Sequence, residues 1–391
     1  VTRRNQNKVV FLERTARVAN RVAVAGMVVV MVVVLALVAV VERVLLARGE
    51  DAPPDGEILL EVPEQSPRKP PSVPSRRRTP PTETLGQQVR TFTLAQRGPA
   101  ARQLYGVRPS QQPIVGTTRF SRDRAWALGT TAIPAPTDQP VMPQVTLFMA
   151  RWGEGGWEMA LAGSPEFSPL VRLAPTALIP AEEKRLLSRY SDSDADSGST
   201  AGLMLPWRAG DAWTITATRG ASDSARPLGA VAFRGGDGRV LAAGDGRLYR
   251  FCTTESDKGL VLIIHPNGLA TQYYEMTKVT DVPDGGVVKQ GDYLGRIGTD
   301  RPCGGAPAGR PQVRFAIRQG ADDVPLNGLR IGGWTFQERA KPLLGWAERG
   351  VLQVMPGEPL ANFGPSDIAP SDPLLTSNVH DIQVKQTKGG P

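Results

Sequence analysis

Residues 303–328 read CGGAPAGRPQVRFAIRQGADDVPLNG, and the interpretation of the six residues RPQVRF at 310–315 decides what this protein is. QVRFAIRQ is a short run rich in β-formers, closed before and after by glycine and proline, and such punctuation is a strand signal. The same pattern recurs upstream in RVLAAGDGRLYRFC (239–252), LVLIIHPNG (260–268), LATQYYEM (269–276) and GDYLGRIG (291–298). Short strands at even spacing predict an all-β antiparallel core over 203–340.

The chain has 391 residues, enough for two compact domains and a tail. It carries 46 basic and 38 acidic residues, a formal charge of +8. Much of that excess lies in the first 21 residues and in SPRKPPSVPSRRRTPP (66–81). This distribution suits contact with an anionic membrane or wall polymer. Nucleic acid is not expected as a partner, because no nucleic-acid motif is present and the aromatics sit in apolar strands. Only two histidines occur, His265 and His380, and only two cysteines, Cys252 and Cys303. In an exported domain the cysteines read as one disulfide; in the cytosol they read as two buried thiols.

Residues 22–41, VAVAGMVVVMVVVLALVAVV, are uncharged and apolar. About 20 such residues span a bilayer as a helix. Arg3, Arg4, Lys8, Arg14, Arg17 and Arg21 precede the run against Glu13 alone. The positive-inside rule then places 1–21 in the cytoplasm and the rest outside, as a single-pass protein of a bacterial cell membrane. Residues 42–89 are a Pro/Arg-rich linker; in polyproline II form it holds the outer domains up to roughly 100 Å from the bilayer.

Residues 90–190 read as a small α+β middle domain. RAWALGTTAI, QVTLFMAR and GWEMALAG are strands, with Val145, Leu147 and Met149 on one face and Phe148 on the other. PAEEKRLLSRY (180–190) is a short helix with acids at its start and arginines near its end. Trp126, Trp152 and Trp157 read as core or edge packing rather than a sugar platform. SDSDADSGSTAG (191–202) is a polar linker. ERAKPLLGWAERG (338–350) predicts a short helix, and 341–391 as a whole reads as that helix and a disordered tail.

LMLPWRAGDAW (203–213), GAVAFRGGDGRVLAAGDGRLYRFC (229–252), LIIHPNGLATQYYEM (262–276), GVVKQGDYLGRIG (286–298) and LNGLRIGGW (326–334), together with the opening stretch, resemble the lysostaphin/LytM-type M23 metallopeptidases, in particular their staphylolysin-like branch. The likeness covers about a third of the chain. It implies an antiparallel β groove of LytM type whose zinc, held by two histidines and an aspartate, activates water to cut peptidoglycan. By the same resemblance the zinc ligands correspond to Gly220, Ala232 and Arg314, and the catalytic histidines to Glu275 and Gln312. It also pairs Cys252 with Cys303, as a stabilising bond in an extracytoplasmic setting.

All five functional positions are therefore changed, while the framework between them is retained. Zinc needs lone pairs from imidazole, carboxylate or thiolate. Glycine and alanine offer none, and arginine is a cation with donors only. No cofactor is expected; zinc enters only if non-standard ligands rebuild the site. Glu275, Asp223 and Asp237 are the carboxylates at hand, and a carboxylate cage suits calcium or magnesium better than hydrolytic zinc. His265, in IIHPNG, reads as a turn histidine. Lys289 lacks the setting of a lipoyl-type carrier lysine. The expectation is a Glu275–Arg314 pair in the metal's space, read either as a neutralised and closed cleft or as one that leaves arginine donors free, with Glu275, Arg310, Arg314 and Arg296 then forming a ligand groove for a stem-peptide carboxylate.

The reading is a membrane-anchored pseudo-peptidase that binds peptidoglycan or regulates a cell-wall hydrolase. The alternatives are a zinc metalloendopeptidase with non-standard ligands and a structural subunit of an envelope complex. Whether residues 90–190 cover the groove is a question the sequence leaves open.

Overall fold

The computed structural model describes residues 80–192, 199–200, 202–216, 228–253, 258–339 and 345–365. All of them belong to the compact unit Arg77–Pro391. Among them no helix is long and apolar enough to cross a membrane; residues 22–41, the expected span, lie outside the described residues.

Helix α1 (Thr82–Tyr105) buries Leu85, Val89 and Thr93, four residues apart and so on one stripe. It ends at Gly106, whose φ of 68° closes the helix in the left-handed conformation. Residues 82–89, assigned to the linker from sequence, are thus the first turns of a packed helix. Strands β1 (Ile114–Phe120), β2 (Trp126–Ile133), β3 (Gln144–Gly153) and β4 (Gly156–Leu161) follow as an antiparallel meander. Alternation along β3 puts Phe148 and Ala150 under α1 with Leu85 and Val89. Val145, Leu147 and Met149 point the other way, toward helices α2 (Phe167–Leu173) and α3 (Ala181–Ser191).

The second sheet is built from β5 (Ala212–Thr216), β6 (Ala230–Gly235), β7 (Arg239–Leu241), β8 (Gly246–Phe251), β9 (Gly259–Ile264), β10 (Ala270–Thr277), β11 (Gly286–Val288), β12 (Tyr293–Ile297), β13 (Val313–Gln319) and β14 (Asp322–Val324). Beyond it, β15 (Arg330–Ile331), β16 (Trp334–Gln337), β17 (Trp346–Arg349) and β18 (Leu352–Val354) make a small sheet, and β19 (Pro359–Ala361) returns to pair with β5. The main order is β11-β8-β9-β10-β13-β6-β5-β19, antiparallel throughout.

The short helix expected over 338–350 is corrected here. Trp346–Arg349 is a strand, turning at Gly350 (φ 59°) into β18. Ala347 is buried against the core of the large sheet, and pairing with β16 outweighs the weak helical signal of a segment interrupted by Pro342 and Gly345.

One face of the large sheet carries Trp207, Trp213, Phe233, Tyr273 and Phe315, with the two indoles stacked at 5.0 Å. The other face carries Tyr249, Leu260, Leu262, Ile264, Ala270 and Tyr274, and these share one core with Leu147, Met149, Phe167, Leu170 and Leu187. The middle region is thus packed on the sheet, face to face. Buried polar groups lock the contact: Arg119 donates to Glu183 Oε2 at 2.8 Å and Tyr249 donates to Glu183 Oε1 at 2.6 Å.

The turn after β9 shows why a histidine stands there. His265 Nδ1 lies 2.7 Å from the Asp245 carbonyl, so it is the protonated nitrogen; Nε2 accepts from the Thr271 hydroxyl at 2.9 Å. Thr271 in turn accepts from Tyr273, whose oxygen takes the Ala243 N–H at 2.8 Å. Burial pushes the His265 pKa down to about 4. The unfolded chain binds a proton near pH 6.5 while the native one does not, so stability falls as pH drops from 6.5 toward 4. The expected loss is roughly 3 kcal/mol by pH 4. Urea midpoints at pH 7 and 4.5 measure it, and His265→Gln should flatten this part of the profile.

Candidate functional site

Strand β10 reads ATQYYEMT, and its pairing with β9 slips within it. Tyr273 faces Val261 but Met276 faces Gly259, so β10 carries one extra residue there, a bulge. Glu275 is that irregular point, with φ of 65°, a conformation that costs a non-glycine residue about 1 kcal/mol or more. The bulge is pinned by the Gly298 N–H, which donates to the Glu275 carbonyl at 2.8 Å.

Across the sheet runs a row of register partners: Thr216 opposite Ala232, Ala232 opposite Arg314, and Arg314 opposite Tyr274. Ala232 is the smallest side chain in that row and sits beside Arg314. Gln312, just before β13, exchanges backbone hydrogen bonds with Gly298. These pairings gather one cluster. Arg301 Nη2 donates to Glu275 Oε1 at 2.5 Å, and Gln312 Nε2 donates to Oε2 at 2.5 Å. Arg314 Nε lies 3.4 Å from Oε1. The Thr216 hydroxyl donates to Gln312 Oε1 at 2.9 Å, which turns the amide NH₂ toward the carboxylate.

The cluster is almost dry. The side chains of Glu275, Arg301 and Arg314 are 0%, 6% and 5% exposed. Two cations and one anion leave a net charge of +1. Burial lowers the Arg314 pKa below its ordinary value, Glu275 acts in the opposite direction, and Arg301 lowers it further.

The middle region closes over this cluster. Arg314 Nη1 donates to the Pro140 carbonyl. Ala135 forms a parallel bridge with Gly304: its N–H donates to the Cys303 carbonyl at 3.0 Å, and its carbonyl accepts from Gly305 at 3.1 Å. The Ala306 N–H donates to the Gln139 carbonyl at 2.6 Å. Gly304 has φ of 81°, and a Cβ there would stand 2.3 Å from the Ala135 oxygen, so only glycine permits this approach. The segment 134–143 is a strap laid across the cluster. The segment that receives the strap is itself tied to the end of β8 by the Cys252–Cys303 disulfide, and the Tyr274 hydroxyl takes the Cys303 N–H at 3.0 Å while donating to the Gly304 carbonyl.

The structure thus brings Glu275, Gln312 and Arg314 together and adds Arg301 and Thr216, which sequence reasoning did not include. It does not bring in the other two arginines of the expected groove. Arg296 is exposed, and its guanidinium donates to the Asp237 carbonyl in the turn after β6, where the Asp237 carboxylate caps the Arg239 N–H. Arg310 is exposed in the turn before β13. Arg314 is not free to grip a ligand, because Glu275 and Pro140 engage it. Gly220 and Asp223 lie outside the described residues. A signal for Arg301 was present in principle: it stands two residues before Cys303, so the disulfide fixes its loop beside β10.

The side-chain donors present do not fit zinc. Ala232 has no lone pair to offer, Arg314 brings a positive charge, and both oxygens of Glu275 are already engaged. Among the described residues no three His, Cys, Asp or Glu side chains converge. Other sequence candidates settle as structure. Trp152 packs edge-on against Trp157 at 5.4 Å, Arg151 lies over Trp126, and Lys289 pairs with Asp245 at 2.9 Å.

Comparison with known proteins places this site in a family context. Residues 228–327 match Peptidase family M23. No curated protein matches. Among solved structures, the M23 metalloprotease pseudoalterin from the deep sea is 24% identical, over 42% of this chain and 99% of that one, with a TM-score of 0.36. A chain of the SpoIIQ–SpoIIIAH pore forming complex is 20% identical, over 34% of this chain and 92% of its own, with a TM-score of 0.24. The catalytic domain of lysostaphin from Staphylococcus simulans is 18% identical, over 30% of this chain and 84% of that domain, with a TM-score of 0.22.

Proposed function

We propose that this chain is a membrane-anchored, extracytoplasmic pseudo-peptidase: an M23 domain that serves the cell wall by binding, to peptidoglycan or to a wall hydrolase, and not by cutting. One observation carries the reading. Glu275 sits at the centre of the site clamped by Arg301 and Gln312, with Arg314 beside it. A carboxylate neutralised by two guanidinium groups is a poor general base and a poor metal ligand, because both roles need its lone pairs. Nothing else in the cluster activates water, and the strap crosses it. The apolar run at 22–41 and the basic residues before it support the anchor.

The test combines elemental analysis with a cleavage assay. Purified full-length protein is expected to hold no stoichiometric zinc after dialysis against micromolar zinc, and to release no fragments from wall peptides. It is expected to co-sediment with insoluble wall. One zinc per chain together with peptide cleavage overturns the reading, and so does absence from the wall pellet when no wall hydrolase binds either.

A further inference from the structure

A second concavity, outside the M23 domain, lies between the turn at 163–165 and helices α2 and α3. It has a volume of about 880 Å³ and is lined by Arg172, Lys184, Arg185, Arg189, Ser188 and Asp192 among others. Among the described residues of the lining four cations stand against one acid, a strong imbalance for so small an area. The acid is engaged, since Asp192 accepts from the Ser168 hydroxyl at 2.7 Å. The nearest carboxylate to Arg185 is that of Glu182, at 3.9 Å, with both side chains about three-quarters exposed, a pairing of little weight. No described acid pairs with Arg172.

Two of the four cations are held in place by backbone carbonyls. Lys184 donates to the carbonyls of Arg172 and Ala174, and Arg189 donates to the Pro266 carbonyl at 2.7 Å. Their positions are therefore set before any ligand arrives, which lowers the entropy cost of binding. Among the described residues, the hydroxyls of Ser164 and Ser188 are buried behind the lining without a hydrogen-bond partner. Like charges grouped in a concave wall repel one another and focus a positive potential, and a bound anion relieves both effects.

We propose that this pocket binds a phosphate-bearing ligand. The net +3 of its described lining residues, four cations and one acid, calls for more than one negative charge. Arginine and lysine donors gathered in one wall suit the several acceptor oxygens of phosphate. The volume is that of a small-molecule site, larger than one free ion needs, so the natural ligand carries phosphate on a larger body such as an envelope polymer or lipid headgroup. The inference is independent of whether the M23 domain hydrolyses anything.

The experiment titrates full-length protein in neutral detergent with inorganic pyrophosphate, followed by calorimetry, with acetylated triglutamate as a carboxylate probe of comparable charge. Saturable pyrophosphate binding is expected, tighter than triglutamate. The double variant Arg172→Gln/Arg189→Gln should weaken it about tenfold or more with the thermal midpoint retained. Arg122→Gln/Arg124→Gln, which removes two exposed cations of the β1–β2 turn, should leave it unchanged. No saturable binding, equal or tighter binding of triglutamate, or an equal loss in the Arg122/Arg124 control overturns the proposal.

Discussion

Replacing Glu275 with glutamine is expected to lower the unfolding free energy by about 3–5 kcal/mol, whereas Arg314→Met should cost only about 1–2 kcal/mol. The asymmetry follows from the charge count of a dry site. The native cluster holds one carboxylate and two guanidinium groups. Glutamine keeps the shape of Glu275 and can still accept from Arg301, but its NH₂ group then faces the Gln312 NH₂, donor to donor, and two buried cations face each other without a counter-ion. Methionine at 314 leaves a neutral Glu275–Arg301 pair at 2.5 Å and orphans only the Pro140 carbonyl. Chemical denaturation of the two variants measures both. Similar small losses for the two would mean that the carboxylate is not the keystone of the cluster, and the proposed function would lose its main support.

The second large effect concerns the disulfide. Cys252 and Cys303 close a loop with a sequence separation of 51. In the chain-entropy model, breaking such a bond destabilises by about 4 kcal/mol. Cys252→Ser/Cys303→Ser, or reductant added to the native protein, should lower the denaturation midpoint accordingly. More than loop entropy is involved, because the bond tethers the segment that carries Arg301 and the Gly304–Ala135 bridge. The double-serine variant should therefore also expose the strap at 134–143 to protease before the rest of the molecule unfolds. Unchanged midpoints with a protected strap would show that packing alone holds this wall.

Much of the architecture was legible because it rests on local chemistry. Period-two alternation in QVTLFMAR assigned Phe148 and Met149 to opposite faces, and Gly-bounded runs marked β8, β9, β10 and β13. The helix at 82–105 was hidden by the proline-rich stretch before it, although Leu85, Val89 and Thr93 carry its period. The C-terminal segment misled for the opposite reason: a plausible short helix gives way to a strand because β16 offers a partner and the core accepts Ala347.

At the site, the residue types alone established that positions 232 and 314 carry alanine and arginine, side chains without the lone pairs a zinc ligand needs, and that glutamine stands at 312, where the resemblance implies a catalytic histidine; this needs no coordinates. Only the tertiary structure decided how those positions are filled. The bulge that swings Glu275 inward is a mismatch between two strands, invisible in either one. Arg301 joins from a loop 26 residues away, and Pro140 arrives from the segment between β2 and β3, 174 residues from the arginine it meets. Such contacts depend on how separate elements are brought together, whereas strand alternation and donor chemistry are properties each residue carries with it.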